Sequence, residues 1–248
     1  MIRIESLHKS FNSHVVLDGI TLDIHKGQSL AIIGQSGCGK SVLLKHLIRL
    51  ISPDTGRVLV DGRDLEAMSY QELVATRQRF GMLFQSAALF DSLTIEENVG
   101  LGLAECRQCT PEVVHETAMQ MLDMVGLASA ADKYPSEISG GMKKRAGLAR
   151  AIANHPEVLL CDEPTSGLDP VTADLIDALI VDLDKRLNTT SIVVTHDMRS
   201  AYRVADRIVM LYNGKIQFDG TPDEIRATND DIVQQFIQGK AEGPIQVR

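Results

Sequence analysis

No stretch of this chain approaches the ~18 uninterrupted apolar residues that a membrane-spanning helix requires. Its start, MIRIESLHKSF, lacks the apolar core of a secretion signal. From both absences we expect a cytosolic chain that meets a membrane only through a partner. Basic charge is also in short supply: 25 Lys and Arg against 33 Asp and Glu leave a net charge of −8. The molecule as a whole is therefore not an electrostatic partner for nucleic acid. Cysteine is scarce, with four residues. Cys106 and Cys109, in CRQC, have the spacing of half a zinc site. No second CxxC occurs and the nearby histidine is His115, whereas a structural zinc site takes four ligands. Two reduced surface cysteines are the expectation. Internal repeats, low-complexity segments and heptad runs are absent as well.

What the chain does contain is an alternation of strand and helix signals. Residues 1–33 read as short β segments, MIRIESL, VVLDGITLDI and QSLAIIG, with a turn at Lys26–Gly27. RVLVDGRDL adds a strand that ends at the turn pair Asp61–Gly62. After Lys40, Leu43, Leu44, Leu47, Ile48 and Ile51 recur at helical spacing. From Thr94 to Asn154 there is little β signal; one helix there has Thr110 as N-cap, Pro111 at its first position and Gly126 near its end. Strands return in EVLLCDEP, TSIVVTHD and RIVMLYNGKI, separated by helical PVTADLIDALIVDLDKRL and MRSAYRVADR. Such alternation implies an α/β fold, a parallel sheet carrying a helical insertion. In the tail, Ile232, Val233, Phe236 and Ile237 form an apolar stripe that needs a surface to pack on.

GQSGCGKS, from Gly34 through Gln35, Ser36, Gly37, Cys38 and Gly39 to Lys40 and Ser41, fits G-x-x-x-x-G-K-[ST] at every fixed position. A buried-type strand, SLAII, precedes it and a helix follows. Glycines allow the backbone to wrap phosphate oxygens with N–H groups pointing inward, and the helix dipole favours the anion. Lys40 is expected to neutralise the β- and γ-phosphates and the Ser41 hydroxyl to bind magnesium. VLLCDEP supplies the acids: Asp162 for the metal and Glu163 to polarise the attacking water. Gln85 and His196 also follow apolar runs, where ligands gather in parallel sheets. Gln85 is placed to sense magnesium or water and His196 to hydrogen-bond the γ-phosphate; taken singly, each also fits a surface amide or a capping histidine. The residues so far define a magnesium-dependent nucleoside triphosphatase.

A second anion-binding signal lies in SEISGGMKKRAGLARAIA. Ser139, Gly140 and Gly141 open a helix whose first turns carry Lys143, Lys144 and Arg145. Exposed N–H groups, a hydroxyl and the positive dipole end suit an anion. A glycine-bend N-cap followed by solvated basic residues suits the same letters, and local evidence leaves both readings open.

Taken in order, Gly34–Ser41, Gln85, ISGGM, VLLCDEP, SGLD at Ser166–Asp169 and His196 resemble an ABC transporter ATP-binding subunit over nearly the whole chain. The resemblance implies a P-loop NTPase (RecA-like) core, mostly parallel, with an N-terminal antiparallel β subdomain and an inserted α-helical subdomain. In its terms residues 1–85 and 157–227 form the core, 86–156 the helical subdomain and 228–248 the tail. It implies ATP and Mg2+ as ligands, Phe11 stacked on adenine with Val16 nearby, and Val42 beside the phosphate loop. It further implies a head-to-tail homodimer in which the Ser139–Gly141 turn closes over the γ-phosphate held by the other copy, with Asp169 at the interface coupling the two sites. The segment Ser86–Leu93, with Ala87, Ala88, Leu89 and Phe90 in a row, would receive a cytoplasmic helix of a permease; core packing accounts for the same run. The signature departs from LSGGQ at Ile138 and Met142, which puts a hydrogen bond from the glutamine position in doubt. SGGMKKRAGLARAI, FGMLFQSAALFDSLTIEENV and QQFIQGKAEGPI are similar to ATPases of the Mla (maintenance of lipid asymmetry) type. That likeness implies phospholipid transport between inner and outer membranes, with a permease, an MCE-domain protein and in some systems a STAS-domain subunit. It places the chain on the cytoplasmic face of a bacterial inner membrane. An amino-acid or other small-solute importer is the alternative. An ABC ATPase acting on DNA or ribosomes, or a P-loop kinase, fits less of the chain.

Overall fold

The computed structural model describes residues 1–105 and 109–246. In chain order the elements are β1 (Ile2–Phe11), β2 (His14–Ile24), β3 (Ser29–Ile33), α1 (Lys40–Leu47), β4 (Thr55–Val60), β5 (Arg63–Asp64), α2 (Tyr70–Arg77), β6 (Phe80–Leu83), α3 (Ile95–Ala104), α4 (Pro111–Met124), α5 (Gly140–Ile152), β7 (Val158–Asp162), α6 (Pro170–Leu187), β8 (Thr190–Thr195), α7 (Met198–Val204), β9 (Arg207–Tyr212), β10 (Lys215–Gly220), α8 (Pro222–Ala227) and α9 (Asp231–Gln238). Contacts divide the chain into two compact units, Met1–Val74 with Ile192–Arg248, and Ala75–Ser191. Cys106 of the CRQC pair lies outside the described residues; Cys109 is half-buried as a thiol.

In the first unit, β2, β1, β4 and β5 form an antiparallel sheet in that order. Strand periodicity buries Ile2 and Ile4 of β1, then skips a beat to bury Leu7. A bulge makes the skip: Ser6 takes φ +46, the register shifts between Ile4 and Leu7, and the Ser6 N–H is accepted by Thr21 Oγ1 at 3.0 Å. Apolar β3 is fully covered after its first residue and pairs in parallel with β9 from Leu30↔Arg207 to Ile33↔Met210, as a strand buried on both faces must. The apolar run through RIVMLYNGKI proves to be two strands. Asn213 and Gly214 both adopt positive φ, which folds β10 back antiparallel on β9.

Helix α1 ends at Leu47, short of the spacing that extends to Ile51. Arg49 turns left-handed at φ +51 and its Nη1 donates to the carbonyls of Leu65 and Met68, so the chain leaves the helical path although Ile48 stays buried. The apolar stripe of α9 has its surface: Val233 joins Ala31, Ile33, Ala201, Ile208, Met210, Ile225 and Ile245 in one core, with Ile232, Phe236 and Ile237 packed against it.

In the second unit, β6 and β7 pair in parallel from Phe80↔Val158 to Leu83↔Cys161. Their starts are held by a forked ion pair, Arg79 Nε and Nη2 on the two oxygens of Glu157 at 2.7 and 3.0 Å. Between these strands the described residues hold helices α3, α4 and α5 with short turns. Thr94 and Glu97 make a reciprocal capping box on α3, and Thr110 caps α4 with Pro111 in its first turn.

Candidate nucleotide site and signature turn

The phosphate loop belongs to the first unit. Buried β3 delivers Gly34, and α1 begins at Lys40 with Gly39 as N-cap at φ +102 and no side-chain cap. The N-cap is a glycine, so no capping side chain stands at the start of α1, the end of a helix whose dipole favours an oxyanion. Lys40 is 5 % exposed, and its Nζ donates to the carbonyls of Gly34 at 2.8 Å and Gln35 at 2.9 Å. Ser41 and Val42 are half-buried, whereas Ser36 and Gly37 are exposed. Beside the loop runs a groove of about 710 Å³ lined by His14, Val15, Val16, Gln35 to Cys38, Tyr212 to Gly214, Pro244 and Gln246. Its volume suits a nucleotide-sized ligand.

The structure brings Val16 to that groove with the loop. Phe11 stands at the end of β1, 43 % exposed and outside the groove lining, with Lys9 Nζ 5.4 Å from its ring centre. Lys9 is itself held by Asp54 Oδ1 at 2.8 Å and the Ser52 carbonyl at 2.9 Å. His196 follows β8 directly and is exposed.

The acids lie in the second unit. Asp162 ends β7 and is buried, and Glu163 follows at 8 % exposure. Glu163 adopts φ +49, a left-handed conformation that costs a non-glycine residue roughly 1–3 kcal/mol and is kept only where the surroundings enforce it. Two residues in the loop after β6, Ala87 and Ala88, are left-handed too, at φ +61 and +48. Arg150 of α5 donates to both of their carbonyls at 2.6 Å. Gln85, in the same loop, is exposed and lies 3.5 Å from Ser166 Oγ.

Of the run after Gln85, Ala87 is buried whereas Ala88 and Phe90 are exposed. Buried Asn98 of α3 shapes the segment, accepting from the Phe90 N–H and donating to the carbonyls of Phe90, Leu93 and Thr94. Packing therefore accounts for part of the run and leaves Phe90 to solvent.

Ser139 caps α5, its hydroxyl accepting from the Met142 N–H at 3.3 Å, and both Ser139 and Gly140 are exposed. The basic residues that follow are not a solvated face. Lys144 is 6 % exposed, its Nζ donating to the Gln85 carbonyl at 2.5 Å and the Glu163 carbonyl at 3.1 Å. Burial lowers the Lys144 pKa from its usual value, against the pull of Cys161, Glu163 and Asp162. Arg145 Nη1 donates to the carbonyls of Val125 and Gly126 just past α4. Asp169 is the N-cap of α6, accepting from the Val171 and Thr172 N–H groups at 3.0 Å and from the Thr172 hydroxyl. The Thr172 hydroxyl and amide hold its carboxyl below the usual carboxylate range.

Sequence reasoning did not find Lys144, Arg150 or Asn98 as shapers of this site, nor the groove walls at Tyr212 and Pro244. A basic residue early in a helix carries no mark of the face it occupies. For Asn98 the one signal was an amide on the otherwise apolar side of α3.

A P-loop helix without a side-chain cap, a strand-end Asp-Glu pair and a serine-capped Gly-Gly helix in one chain define an ATP-binding cassette. The ABC transporter family model matches residues 17–166, and the chain belongs to that family. It is 42 % identical over 245 residues to the "Probable ribonucleotide transport ATP-binding protein mkl" of Mycobacterium leprae (strain TN), covering 98 % of this chain and 70 % of that protein. It is 41 % identical over 233 residues to the "Intermembrane phospholipid transport system ATP-binding protein MlaF" of Escherichia coli (strain K12), covering 94 % and 87 %. With MlaF of Haemophilus influenzae it shares 38 % identity over 248 residues, 100 % of this chain and 94 % of that one. Among solved structures, a dimeric post-hydrolysis state of the ATP-binding cassette MJ0796 bound to ADP and Pi superposes with a TM-score of 0.82 and 31 % identity, over 89 % of this chain and 98 % of that one. This chain is the ATP-hydrolysing subunit of a transporter. None of its described helices is long and apolar enough to cross a membrane.

Proposed function

We propose that this subunit energises phospholipid transport between the inner and outer membranes of a bacterium, working as a head-to-tail homodimer on the cytoplasmic face of the inner membrane. The observation that carries the dimer is the Ser139 turn. It is exposed at the start of α5, while Lys144 and Arg145 are committed to carbonyls of the same chain. An anion placed at this turn would meet backbone amides and a hydroxyl, as the γ-phosphate held by another copy would.

In this reading Gly34 to Ser41, with Val42 behind them, hold the ATP phosphates. Val16 lines the base side, with Phe11 offering an exposed ring at the strand end. Asp162, Ser41 and Gln85 supply carboxylate, hydroxyl and amide oxygens, an all-oxygen donor set that suits Mg2+. The ion, when bound, neutralises charge on the phosphate oxygens. Glu163 accepts a hydrogen bond from the attacking water. The water oxygen bonds to the γ-phosphorus as the bond to the β-γ bridging oxygen breaks, leaving ADP and inorganic phosphate. His196 donates to a γ-phosphate oxygen. Asp169 lies at the dimer interface, and residues 86–156 form the helical subdomain between core segments 1–85 and 157–227, with 228–248 as the tail. The exposed part of Ser86–Leu93 receives a permease helix. A membrane-anchored, lipid-binding MCE-domain protein completes the assembly, joined in some systems by a STAS-domain subunit.

The lipid assignment is supported by the likeness to the two MlaF proteins, one aligned over 100 % of this chain. Two experiments test the proposal. Glu163→Gln should bind ATP, hydrolyse it very slowly and elute from gel filtration as a dimer; a variant that stays monomeric with saturating ATP refutes the sandwich. Purification of the complex from native membranes should bring down an MCE-domain protein and bound phospholipid. Co-purification with a periplasmic amino-acid receptor would instead establish a small-solute importer.

A further inference from the structure

We infer that Lys144 is a positioning residue for hydrolysis: it fixes the main chain of Gln85 and Glu163, and so ties the helix that begins at Ser139 to the carboxylate that orients water. The inference rests on the proposed role of Glu163.

The geometry comes from close packing of α5. A methyl group added at Gly147 would lie 2.9 Å from Leu83 Cδ1 and 3.1 Å from Ala87 Cβ. Only a residue without a side chain lets the helix approach the end of β6 so closely. Lys144 is three residues earlier and shares that helix face. Its side chain therefore enters the space between the two strand ends instead of solvent.

There the ammonium has three N–H donors to place. Two of them reach the Gln85 and Glu163 carbonyls at 2.5 and 3.1 Å. Both acceptors are peptide oxygens, so the contact sets the orientation of a peptide. That matters most at Glu163, whose left-handed backbone decides where its side chain leaves the strand end. A main chain in this conformation relaxes unless neighbours hold it. Lys144 sits five residues beyond Ser139, little more than one helical turn into α5. A small displacement of the helix start, such as phosphate capture at Ser139, reaches Gln85 and Glu163 through a single side chain. In a dimer this links the half-site that Ser139 gives to one ATP with the carboxylate that acts on the other.

The test compares Lys144→Met, Lys144→Gln and Arg145→Met in the full chain, by steady-state ATPase, nucleotide titration and thermal melting. Displacing a reacting group by about an ångström costs on the order of 100-fold in rate. Lys144→Met should therefore lower kcat by roughly 10- to 100-fold, with KM for ATP and nucleotide affinity changed less than about threefold. Lys144→Gln keeps an N–H donor and should recover part of kcat. It also serves as the readout if the methionine variant does not fold. Arg145→Met loses a purely structural cap and should lower the melting temperature with kcat and KM near wild type. Wild-type kcat in both Lys144 variants overturns the inference, as does a loss of kcat that merely tracks melting temperature along the Arg145→Met line. Full turnover by Glu163→Gln would instead show that the underlying role of Glu163 is wrong.

Discussion

Replacing Gly34 by alanine sets a backbone cost and a packing cost at one position, and the structure allows both to be sized. Gly34 has φ +147, and an added methyl would lie 2.4 Å from the Leu211 carbonyl oxygen and 2.7 Å from Cys38 Sγ. Forcing alanine into that backbone region costs of order 1–3 kcal/mol. Leu211 belongs to β9, whose ladder with β3 and β10 leaves its carbonyl little room to retreat, and overpacking of that kind adds ~1–3 kcal/mol. The total, roughly 2–6 kcal/mol, is a large part of the ~5–15 kcal/mol available to a folded domain. At ~2–4 °C per kcal/mol for a chain of this size, the melting temperature should drop by about 5–20 °C. Gly27→Ala is the internal control, because Gly27 also has positive φ, +75, but nothing lies within 4 Å of the added methyl. It should lose only the backbone part, ~1 kcal/mol. Calorimetry of both variants, with and without a non-hydrolysable ATP analogue, separates the two costs. If Gly34→Ala melts within about 2 °C of Gly27→Ala, the close approach of β9 to the phosphate loop plays no energetic part and the sizing fails.

Three further outcomes are expected. Lys40→Ala should lose most nucleotide affinity, and a wild-type titration curve would remove Lys40 from the cradle. His46 is buried with its Nδ1 2.7 Å from the Val42 carbonyl, and burial lowers its pKa below the ordinary 6.5, with Lys9 adding to the fall and Glu66 opposing it. Its contribution is present above about pH 6.5 and is lost as pH falls towards the folded value, because the unfolded chain takes the proton first. The melting temperature should therefore decline from pH 7.5 to 5.5, and less steeply in His46→Gln; identical slopes would refute it. His115, raised by its hydrogen bond to Glu96, runs in the opposite sense but is exposed and screened. Gln235→Leu should lower stability by ~1–3 kcal/mol and weaken nucleotide binding severalfold. The buried amide of Gln235 holds both the N–H and the carbonyl of Ile245, between the groove-lining Pro244 and Gln246. Unchanged affinity would mean that the tail does not wall the nucleotide groove.

Much of this architecture was legible because its cues are local. A phosphate loop needs a strand, glycines, a lysine and a helix in immediate succession, so Gly34 to Ser41 declare themselves. The caps at Thr110 and Ser139 follow from side chains that bond N–H groups three residues on. Features that depend on distant partners were not legible. Apolar spacing through Ile51 promised a longer α1, yet Arg49 is drawn out of the helix by carbonyls sixteen and nineteen residues away. Lys143, Lys144 and Arg145 are alike in the sequence, and only the packing of α5 assigns Lys144 to Gln85 and Glu163 and Arg145 to the end of α4. Gln235 reads as one polar residue in an amphipathic helix; its role requires the chain to return at Ile245.

Lys144 and Arg150, two of the residues that sequence reasoning passed over, share a physical task, which explains why they stay hidden. Glu163, Ala87 and Ala88 hold left-handed backbones without glycine's freedom, so each needs an external tie. Those ties come from one helix: Lys144 to the Glu163 carbonyl, Arg150 to the carbonyls of Ala87 and Ala88. Cations suit the work because a carbonyl accepts a stronger bond from a charged donor than from a neutral one. Their long stems also cross the helix surface and bury their methylenes on the way. The helix that opens with the exposed Ser139 turn is thus the same one that braces the loop after Gln85 and the backbone of Glu163. Weakening that brace should uncouple ATP capture from hydrolysis while leaving the phosphate loop of the first unit intact.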